Sequence, residues 1–389
     1  MKYNFDEIVD RRNTNSIKYD FAAKRGDDIL PLWVADMDFR VPCEVTDALI
    51  SSAKHGIFGY TDAGAEYYNA VEKWFRENHG FHIQNEWIVK TPGVVFALSA
   101  AVRALSNEGD AVLIQPPVYH PFFDVINKNR RRVITNPLVY DNGKYYIDFA
   151  DFEEKIINNR IRLFILCSPH NPVGRVWTKD ELIKIGEICK KHGCIVVSDE
   201  IHCDFVYSGH RHHVFSTVSE GFSDRSLICT APSKTFNLAG LQVSNVFIKN
   251  PEIRRVFIDE IERTGYGLLN TMGFAACRAA YESGDEWLHQ LNKYLYENLA
   301  YLKDALAKAL PKVTLVVPEG TYLAWLDFRG LGLSQRELDM LLLNNARVFL
   351  STGTSFGVEG TGFQRINFAC PKSVLEEALA RLAKAFSAY

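Results

Sequence analysis

Three polar side chains stand directly after short apolar runs in the middle of the chain. Asn171 follows RLFILCSPH, Asp199 ends CIVVSD, and Lys234 follows SLICTAPS. The intervals from 171 to 199 and from 199 to 234 each have the length of one strand–helix–strand crossover. Because open α/β sheets bind ligands at the carboxyl ends of their strands, we expect one ligand to touch all three. A lysine amine there can form an imine with an aldehyde, and a carboxylate favours the protonated form of a nearby base.

The elements that must position these residues alternate along the chain. β-branched or apolar runs are separated by helical patterns, which is typical of a mostly parallel central sheet with helices on both faces, the α/β class. The segment TKDELIKIGEICKKHG (178–193) has apolar residues at helical spacing, a threonine at its start and a glycine at its end, and is predicted to be a helix. The predicted strands are AVLIQ (111–115), RLFILC (162–167), CIVVSD (194–199), SLICTA (226–231) and SNVFIK (244–249).

The pattern changes after about residue 281, which divides the chain. Long helices, the strand-like runs TLVVP and YLAWLDF and a final helix VLEEALARLAKAF predict a smaller α+β domain over 281–389. A large domain is predicted over 46–280. Residues 1–45 are rich in turn formers, and we expect an irregular segment that wraps over the structure and contributes to the small domain and the active site.

Bulk properties exclude several classes of protein. With 389 residues, 47% of them hydrophobic, the chain can bury a large core. A formal net charge of -3 provides no field that would attract nucleic acid or a membrane surface. No apolar run reaches membrane-spanning length, and MKYNFDEIVDRR lacks the apolar core of a signal peptide. We therefore expect a cytoplasmic protein that acts on small molecules.

Two charged clusters and the eight cysteines have ordinary interpretations. KNRRR (128–132) leads into the strand-like RVITNPL and is interpreted as a solvated edge. HRHH (210–213) lacks helical i, i+4 spacing and has no acidic or thiol ligand beside it, so we predict no metal site there. The cysteines form no C-x-x-C pair, which argues against a disulfide framework or a zinc site. Cys203 is interpreted as a packed, inert thiol.

Six segments of the chain resemble the fold-type I pyridoxal 5′-phosphate (PLP) enzymes, the class I and II aminotransferase superfamily. Each segment is weak evidence alone, but six in the order of the family are specific, and they extend over nearly the whole chain. The resemblance implies PLP as cofactor and a homodimer. The segments are TPGVVFAL (91–98), PPVYHPF (116–122), SPHNPVGRVW (168–177), SDEIHCDF (198–205), APSKTFNLAGLQ (231–242) and GFQRINFACP (362–371).

Further segments resemble the cystathionine β-lyase or C–S lyase subgroup: LWVADMDF (32–39), FGYTDA (58–63), DEIH (199–202) and EGTYLAWLDF (319–328). This subgroup implies β-elimination on L-cystathionine or a related cysteine S-conjugate, which yields a thiol, pyruvate and ammonia. Two alternatives remain open at this point. One is an aminotransferase for an aromatic or other amino acid, and the other is a regulatory protein that keeps the fold without catalysis.

The resemblance assigns a role to each of the three polar residues. Lys234 forms the imine with the cofactor and later removes the Cα proton of the substrate. Asp199 keeps the pyridine nitrogen protonated, although an acidic residue at a strand end can also be a simple helix cap. Asn171 donates to the phenolate oxygen of the cofactor ring, although an Asn-Pro pair can also form only a turn.

The cofactor phosphate requires backbone amides at a helix start, where the unpaired N–H groups favour an anion. Gly93, Val94 and Val95 fit this requirement, and Ser233 can add a hydroxyl group. Tyr60 resembles a tyrosine of the family that reaches the phosphate in the neighbouring subunit, and we therefore count it among the catalytic residues.

Two further residues resemble contacts of the family with ring and substrate. Tyr119 is expected to stack on the cofactor ring, although an isolated aromatic residue in PPVYHPF can equally belong to the core. Arg365 is expected to bind the α-carboxylate of the substrate through its planar fork, with Asn171 and Ala35 beside it. A surface arginine is the alternative interpretation.

Two positions depart from the general aminotransferase pattern. His202 stands where many members have a tyrosine that bonds the phenolate oxygen, and this change resembles the lyase subgroup. Gln242 stands where many members have a phosphate-binding arginine. The sequence does not identify a cation that replaces it.

Overall fold

A computed structural model describes residues 3–26 and 28–389. Its strands are β1 (Leu30–Pro31), β2 (Ile88–Thr91), β3 (Ala111–Ile114), β4 (Arg132–Thr135), β5 (Val139–Asp141), β6 (Lys144–Tyr146), β7 (Leu163–Cys167), β8 (Ile195–Asp199), β9 (Ser226–Thr230), β10 (Ser244–Phe247), β11 (Thr314–Val316), β12 (Leu323–Asp327), β13 (Val348–Phe349), β14 (Ser351–Thr352) and β15 (Phe363–Asn367).

Its helices are α1 (Ile17–Ala23), α2 (Cys43–His55), α3 (Ala65–His79), α4 (Val94–Leu105), α5 (Pro121–Asn127), α6 (Phe149–Asn159), α7 (Lys179–Lys191), α8 (Pro232–Thr235), α9 (Pro251–Arg263), α10 (Thr271–Ser283), α11 (Asp285–Ala309), α12 (Gln335–Met340) and α13 (Lys372–Ala385). Within the described parts of the chain, no helix combines the length and the apolar character needed to cross a membrane.

The large sheet has the strand order β2-β10-β9-β8-β7-β3-β4. Strands β9, β8, β7, β3 and β4 run parallel to one another, whereas β10 is antiparallel to both β9 and β2. The mostly parallel sheet is therefore confirmed, and all five predicted strands are present. Strand β2 was not predicted because Lys90 interrupts its apolar run IVKT.

Both faces of this sheet are covered, as the side-chain alternation of β7 shows. Phe164 and Leu166 pack into one hydrophobic cluster, while Leu163 and Ile165 pack into a second one on the opposite face. Since successive residues of a strand point to opposite faces, a continuous apolar run is what a fully buried strand requires. The predicted α/β class follows from this arrangement.

Helix α7 begins and ends where the sequence indicates. The Thr178 side chain accepts a hydrogen bond from the Glu181 backbone N–H, and the Glu181 carboxylate accepts from Thr178 in return. Gly193 follows the helix with φ +70°, a left-handed conformation that favours glycine. This capping box fixes the start of the helix between two strands of the large sheet.

The C-terminal part contains a four-stranded antiparallel sheet of order β11-β12-β15-β14. Helix α13 packs against the long helix α11 in this part. Arg365 lies in the middle of β15, opposite Trp325 of β12 and Ser351 of β14. Arg365 is therefore a buried strand residue rather than a surface arginine, and it reaches Asn171, which follows β7 of the large sheet.

The N-terminal segment is more regular than expected. It includes α1, and its strand β1 pairs in parallel with β13. The prediction of an irregular segment over 1–45 is wrong for residues 17–23, 30–31 and 43–45, which belong to α1, β1 and α2. The segment does pack over the structure: the Asn237 side chain donates to the Met37 and Phe39 carbonyl oxygens at 3.0 and 3.1 Å, and the Asn367 side chain donates to the Val34 carbonyl oxygen at 2.7 Å. The division at residues 45 and 280 stays a prediction.

Candidate active site

The three polar residues that follow β7, β8 and β9 converge at one edge of the large sheet. Asn171, Asp199 and Lys234 line a single cavity of about 180 Å³. The parallel run of the strands places their carboxyl ends side by side, as the spacing predicts. One ligand can therefore contact an amide, a carboxyl group and an amine at once.

Asp199 is a buried carboxyl group with few partners. Its Oδ1 accepts a hydrogen bond from the Ile201 backbone N–H at 3.1 Å, and within the described parts of the chain no basic side chain forms an ion pair with it. Burial raises the pKa of Asp199 from its ordinary 3.8 to about 7, although that N–H group and the charge of Lys234 oppose the rise. The carboxylate form therefore requires a cationic partner inside the cavity.

Lys234 lies on helix α8 and lines the same cavity. Its Nζ donates to the Ala35 carbonyl oxygen at 2.7 Å, and the Tyr322 hydroxyl donates to the same oxygen at 2.9 Å. Burial lowers the pKa of Lys234 to about 8, against the opposing charges of Asp36 and Asp199. The lowered pKa favours the uncharged amine, which is the form that attacks an aldehyde.

His202 is a neutral imidazole inside the same cavity. Burial holds its pKa well below the ordinary value, and the positive charges of Lys234 and Arg365 lower it further. Its Nδ1 is buried and has no hydrogen-bond partner within the described structure. A buried nitrogen without a partner is costly, so this atom is available to a ligand.

Arg365 is a buried guanidinium group without an anionic partner in the described structure. It donates from Nη1 to Asn171 Oδ1 at 2.9 Å and from Nη2 to the Trp33 carbonyl oxygen at 2.7 Å. Its Nε is buried and makes no hydrogen bond. Burial lowers the pKa of Arg365 to about 10, which leaves the group charged at neutral pH. A buried cation of this kind is suited to a carboxylate that arrives with a ligand.

The start of helix α4 lines the same cavity of about 180 Å³, called the smaller cavity below. Gly93 is the N-cap residue, and Val94 and Val95 form the first turn, which contains no acidic side chain. Ser233 and Gln242 line the same cavity. The free amides and the helix dipole favour an anion there. Among the residues that line this cavity, Lys234 is the one lysine or arginine, and the helix start adds positive potential for a phosphate.

A second cavity of about 460 Å³ adjoins the first. Both are lined by Ala35, Tyr119 and Lys234, and Arg365 lines the larger one. Burial raises the pKa of Tyr119, which keeps its hydroxyl protonated. Tyr119 thus lies between the cavity that Asp199 and Asn171 line and the cavity that Arg365 lines.

A family model for class I and II aminotransferases matches residues 27–382. The chain belongs to this family. Relatives and solved structures of the aminotransferase family include several lyases. Cystathionine β-lyase PatB of Bacillus subtilis (strain 168) is 44% identical over 99% of this chain and 100% of the relative. Protein MalY of Escherichia coli (strain K12) is 35% identical over 99% of both chains.

Solved structures agree with these relatives. Cystalysin from Treponema denticola, whose crystal structure contains a pyridoxal 5′-phosphate cofactor, has a TM-score of 0.97 and 40% identity over 100% of both chains. A PLP-bound C–S lyase from Staphylococcus hominis has a TM-score of 0.93 and 36% identity over 99% of this chain and 98% of that one. The predicted superfamily, and within it the likeness to C–S lyases, is confirmed.

The buried groups of the site fit the cofactor of such aminotransferase-family enzymes. Asp199 requires a cation, His202 has an unpartnered ring nitrogen, and the start of α4 provides amides for an anion. PLP offers a protonatable ring nitrogen, a phenolate oxygen and a phosphate, and its aldehyde matches the Lys234 amine. Each group of the cofactor thus has a counterpart of suitable chemistry.

Two predicted site residues are placed differently from the rest. Tyr60 is fully exposed and lines neither of the two cavities in a single chain. Ala35 does lie in the site, but its carbonyl oxygen accepts from Lys234 rather than contacting Arg365. The predicted roles of both residues in binding phosphate or carboxylate stay predictions.

Sequence reasoning missed three contacts of the aminotransferase-family site. The Trp33 carbonyl oxygen and the Ser351 hydroxyl both accept from Arg365, and the Tyr322 hydroxyl donates to Ala35. LWVADMDF and EGTYLAWLDF contain two of these residues, so the motifs indicated their importance. A backbone carbonyl, however, has no sequence signature, and Ser351 is a common residue in an unremarkable run.

The histidine cluster at 210–213 has local partners. His212 forms a hydrogen bond through Nε2 with Glu200 at 2.8 Å. The described structure also brings atoms of His79, Cys203 and Asp204 within 4.8 Å of one another, which the sequence did not suggest. The Asp204 carboxylate already accepts from Trp74, His79 and Thr235, and burial raises the pKa of Cys203 well above its ordinary value, as an inert thiol requires.

Proposed function

We propose that this chain is a PLP-dependent C–S lyase that performs β-elimination on L-cystathionine or a related cysteine S-conjugate. The products are a thiol, pyruvate and ammonia. The proposal is carried by one observation: an amine of lowered pKa and a buried, unpaired guanidinium group face the same cavity of about 460 Å³. This pair can bind an α-amino acid by its carboxylate and remove its Cα proton. The relatedness to cystathionine β-lyase PatB supports the choice of leaving group.

The residues of the smaller cavity hold the cofactor in this proposal. Lys234 binds it covalently, Asp199 faces its ring nitrogen, and Tyr119 covers its ring. Asn171 Oδ1 accepts a hydrogen bond from Arg365, which leaves its Nδ2 group to donate to the phenolate oxygen, beside His202. The phosphate is held by Gly93, Val94, Val95 and Ser233. When bound, PLP supplies an electron sink for the charge that develops at Cα.

The side chains of this chain then guide the elimination. Arg365 fixes the α-carboxylate, so that the Cα–H bond points toward Lys234. The substrate amine first displaces Lys234 from its covalent link, which frees Nζ to take the Cα proton. The Cβ–S bond then breaks, and its electron pair leaves with the sulfur. A thiol has a reference pKa of about 8.5, so it departs as thiolate without a dedicated general acid. The three-carbon fragment is hydrolysed to pyruvate and ammonia.

The reaction type is tested by incubating the holoenzyme with L-cystathionine in the absence of any keto acid. We expect thiol and pyruvate in equal amounts over many turnovers. Alanine, which has no leaving group at Cβ, is expected to give no sustained turnover. If alanine or an aromatic amino acid with a keto acid turned over faster than every cysteine conjugate, the enzyme would be an aminotransferase. No turnover of any of these would favour the regulatory alternative.

Arg365→Lys tests how the substrate is held. We expect kcat/KM to fall about a hundredfold or more, since a charged hydrogen bond is worth about 1.5–3 kcal/mol and the fork makes two. Steady-state kinetics with L-cystathionine measures the change. Arg329→Lys is the matched control, because Arg329 makes a bidentate contact with Asp327 and lines neither cavity. Equal values for wild type and Arg365→Lys would contradict the assignment.

A homodimer in which Tyr60 completes the neighbouring site is part of the proposal. Ile57, Phe58, Tyr60 and Leu268 are large exposed side chains, and residues 58–61 and 265–272 line a further cavity of about 680 Å³. A second copy on this face would bury an apolar surface that a monomer rarely exposes.

Subunit mixing tests this arrangement. Tyr60→Ala and Lys234→Ala each damage a different half of a shared site, so a mixed dimer has one intact site. After exchange of equal amounts, we expect about a quarter of wild-type activity, because half of the dimers are mixed. Mixed dimers that form without recovering activity would show that Tyr60 acts only within its own chain.

The proposed compartment is the cytoplasm. Seven cysteines are buried thiols without disulfides, as a reducing compartment favours. Activity that stays in the cytoplasmic fraction of the source cells would support this placement, and secretion would contradict it.

A further inference from the structure

The larger cavity extends from Lys234 and Arg365 along an apolar wall. The wall is formed by Trp33, Leu343 and Phe349, with further apolar residues beside them. Because Arg365 binds the α-carboxylate, the wall lies where the substituent on sulfur must go. Methylene groups of a thioether can bury their surface against these side chains.

An arginine also lines this cavity. Arg25 follows helix α1, and its guanidinium carbon lies 4.4 Å from the ring centroid of Phe349 and 5.0 Å from that of Phe21. These cation–π contacts hold the exposed side chain against the wall. Within the described parts of the chain, Arg25 makes no ion pair and no side-chain hydrogen bond.

The other ionisable groups of the cavity include one acidic side chain, Asp339, whose hydrogen-bond partners are neutral, and one histidine, His120. The Asp339 carboxylate accepts from Gln335, Thr352 and Gln364, at 2.9, 3.3 and 2.6 Å. Burial lowers the pKa of His120, which keeps the imidazole neutral at neutral pH. Arg25 is thus a third cationic group that lines this cavity, in addition to Lys234 and Arg365, which the proposed reaction uses. Its guanidinium N–H donors are free within the described parts of the chain.

We propose that Arg25 binds a carboxylate at the far end of the sulfur substituent and so determines specificity. This inference rests on the proposed lyase function. The substrate class it defines is cysteine thioethers whose S-linked chain has an apolar middle and a terminal carboxylate. The chain lies against the wall, and the carboxylate meets a guanidinium group that is already held in place by Phe349 and Phe21.

The test compares two thioethers of equal length, S-(3-carboxypropyl)-L-cysteine and S-butyl-L-cysteine. The measured quantity is the ratio of their kcat/KM values, acid over alkyl. We expect wild type to favour the acid and Arg25→Ala to lower the ratio about tenfold, since one charge-assisted contact is lost at an exposed site. The loss should appear in KM, because the contact lies far from the reacting bond.

Two further variants separate a direct contact from a general field. Lys24→Ala removes a neighbouring exposed cation that does not line the cavity, and its ratio should match that of wild type. Arg25→Lys keeps the charge without the fork and should give an intermediate ratio. The inference would be overturned by an unchanged ratio in Arg25→Ala, or by an equal fall of the ratio in Lys24→Ala. In either case, turnover of S-butyl-L-cysteine would still support the lyase function. If wild type released pyruvate from L-cystathionine but cleaved neither thioether, the inference alone would fail, and if it cleaved none of the three, both proposals would fail.

Discussion

A Lys234→Ala variant is expected to lose at least about a thousandfold in the turnover of cysteine thioethers. A positioned base contributes about 10²- to 10⁴-fold to a proton transfer, and this residue is also the proposed covalent anchor of the cofactor. Among the residues that line the smaller cavity, no other lysine stands near enough to replace it. Pyruvate release from L-cystathionine measures the effect.

The position of the anchor is checked independently of turnover. Borohydride reduction of the wild-type holoenzyme followed by peptide mapping should find the cofactor on the peptide that contains Lys234. Lys249→Ala is the control, because Lys249 is an exposed lysine close to Asp224 at 3.5 Å and lines neither cavity. A Lys234→Ala protein that kept a reducible link to its cofactor and normal turnover would contradict the assignment.

The sequence predicts those parts of the fold whose causes are local. Five of the seven strands of the large sheet are visible because strands that are buried on both faces are largely apolar. Helix α7 is visible because Thr178, Glu181 and Gly193 satisfy its ends with neighbours a few residues away. The convergence of Asn171, Asp199 and Lys234 follows from the geometry of parallel strands, so it too is readable from spacing.

Other features depend on contacts between distant parts of the chain. Helix α1 ends after seven residues, and Lys18 within it is buried against Asp38, which no local pattern reveals. The Trp33 and Ala35 carbonyl groups reach Arg365 and Lys234 only because the N-terminal segment pairs with β13. Arg25 has no motif around it, and its place in the cavity depends on the two aromatic rings that hold it.

Asp199→Asn is expected to lower turnover by about 10²- to 10³-fold, the usual cost of removing one preorganised electrostatic group. Asparagine has nearly the same shape and keeps the oxygen that accepts from the Ile201 N–H group. It carries no charge, so it no longer favours a protonated ring nitrogen in the cofactor, and the electron withdrawal from Cα weakens. Pyruvate release measures the loss, and ¹⁵N NMR of the bound cofactor reports the protonation of its ring nitrogen.

In the apoprotein, Asp199→Asn should raise thermal stability, whereas in the holoenzyme it lowers turnover. Without the cofactor, the Asp199 pKa is raised by burial from 3.8 to about 7, so ionising this carboxyl disfavours folding increasingly from about pH 4 to pH 7. Asp199→Asn removes that cost, and the apoprotein variant should melt above wild type at pH 8 but not at pH 4. Asp204→Asn is the buried control. Burial raises the pKa of Asp204, but its hydrogen bonds, led by the one from His79, lower that pKa overall. The Asp204→Asn variant should therefore be less stable than wild type at pH 8. If Asp199→Asn kept normal turnover, or destabilised the apoprotein at pH 8 as Asp204→Asn does, Asp199 would be a structural residue rather than the partner of the cofactor.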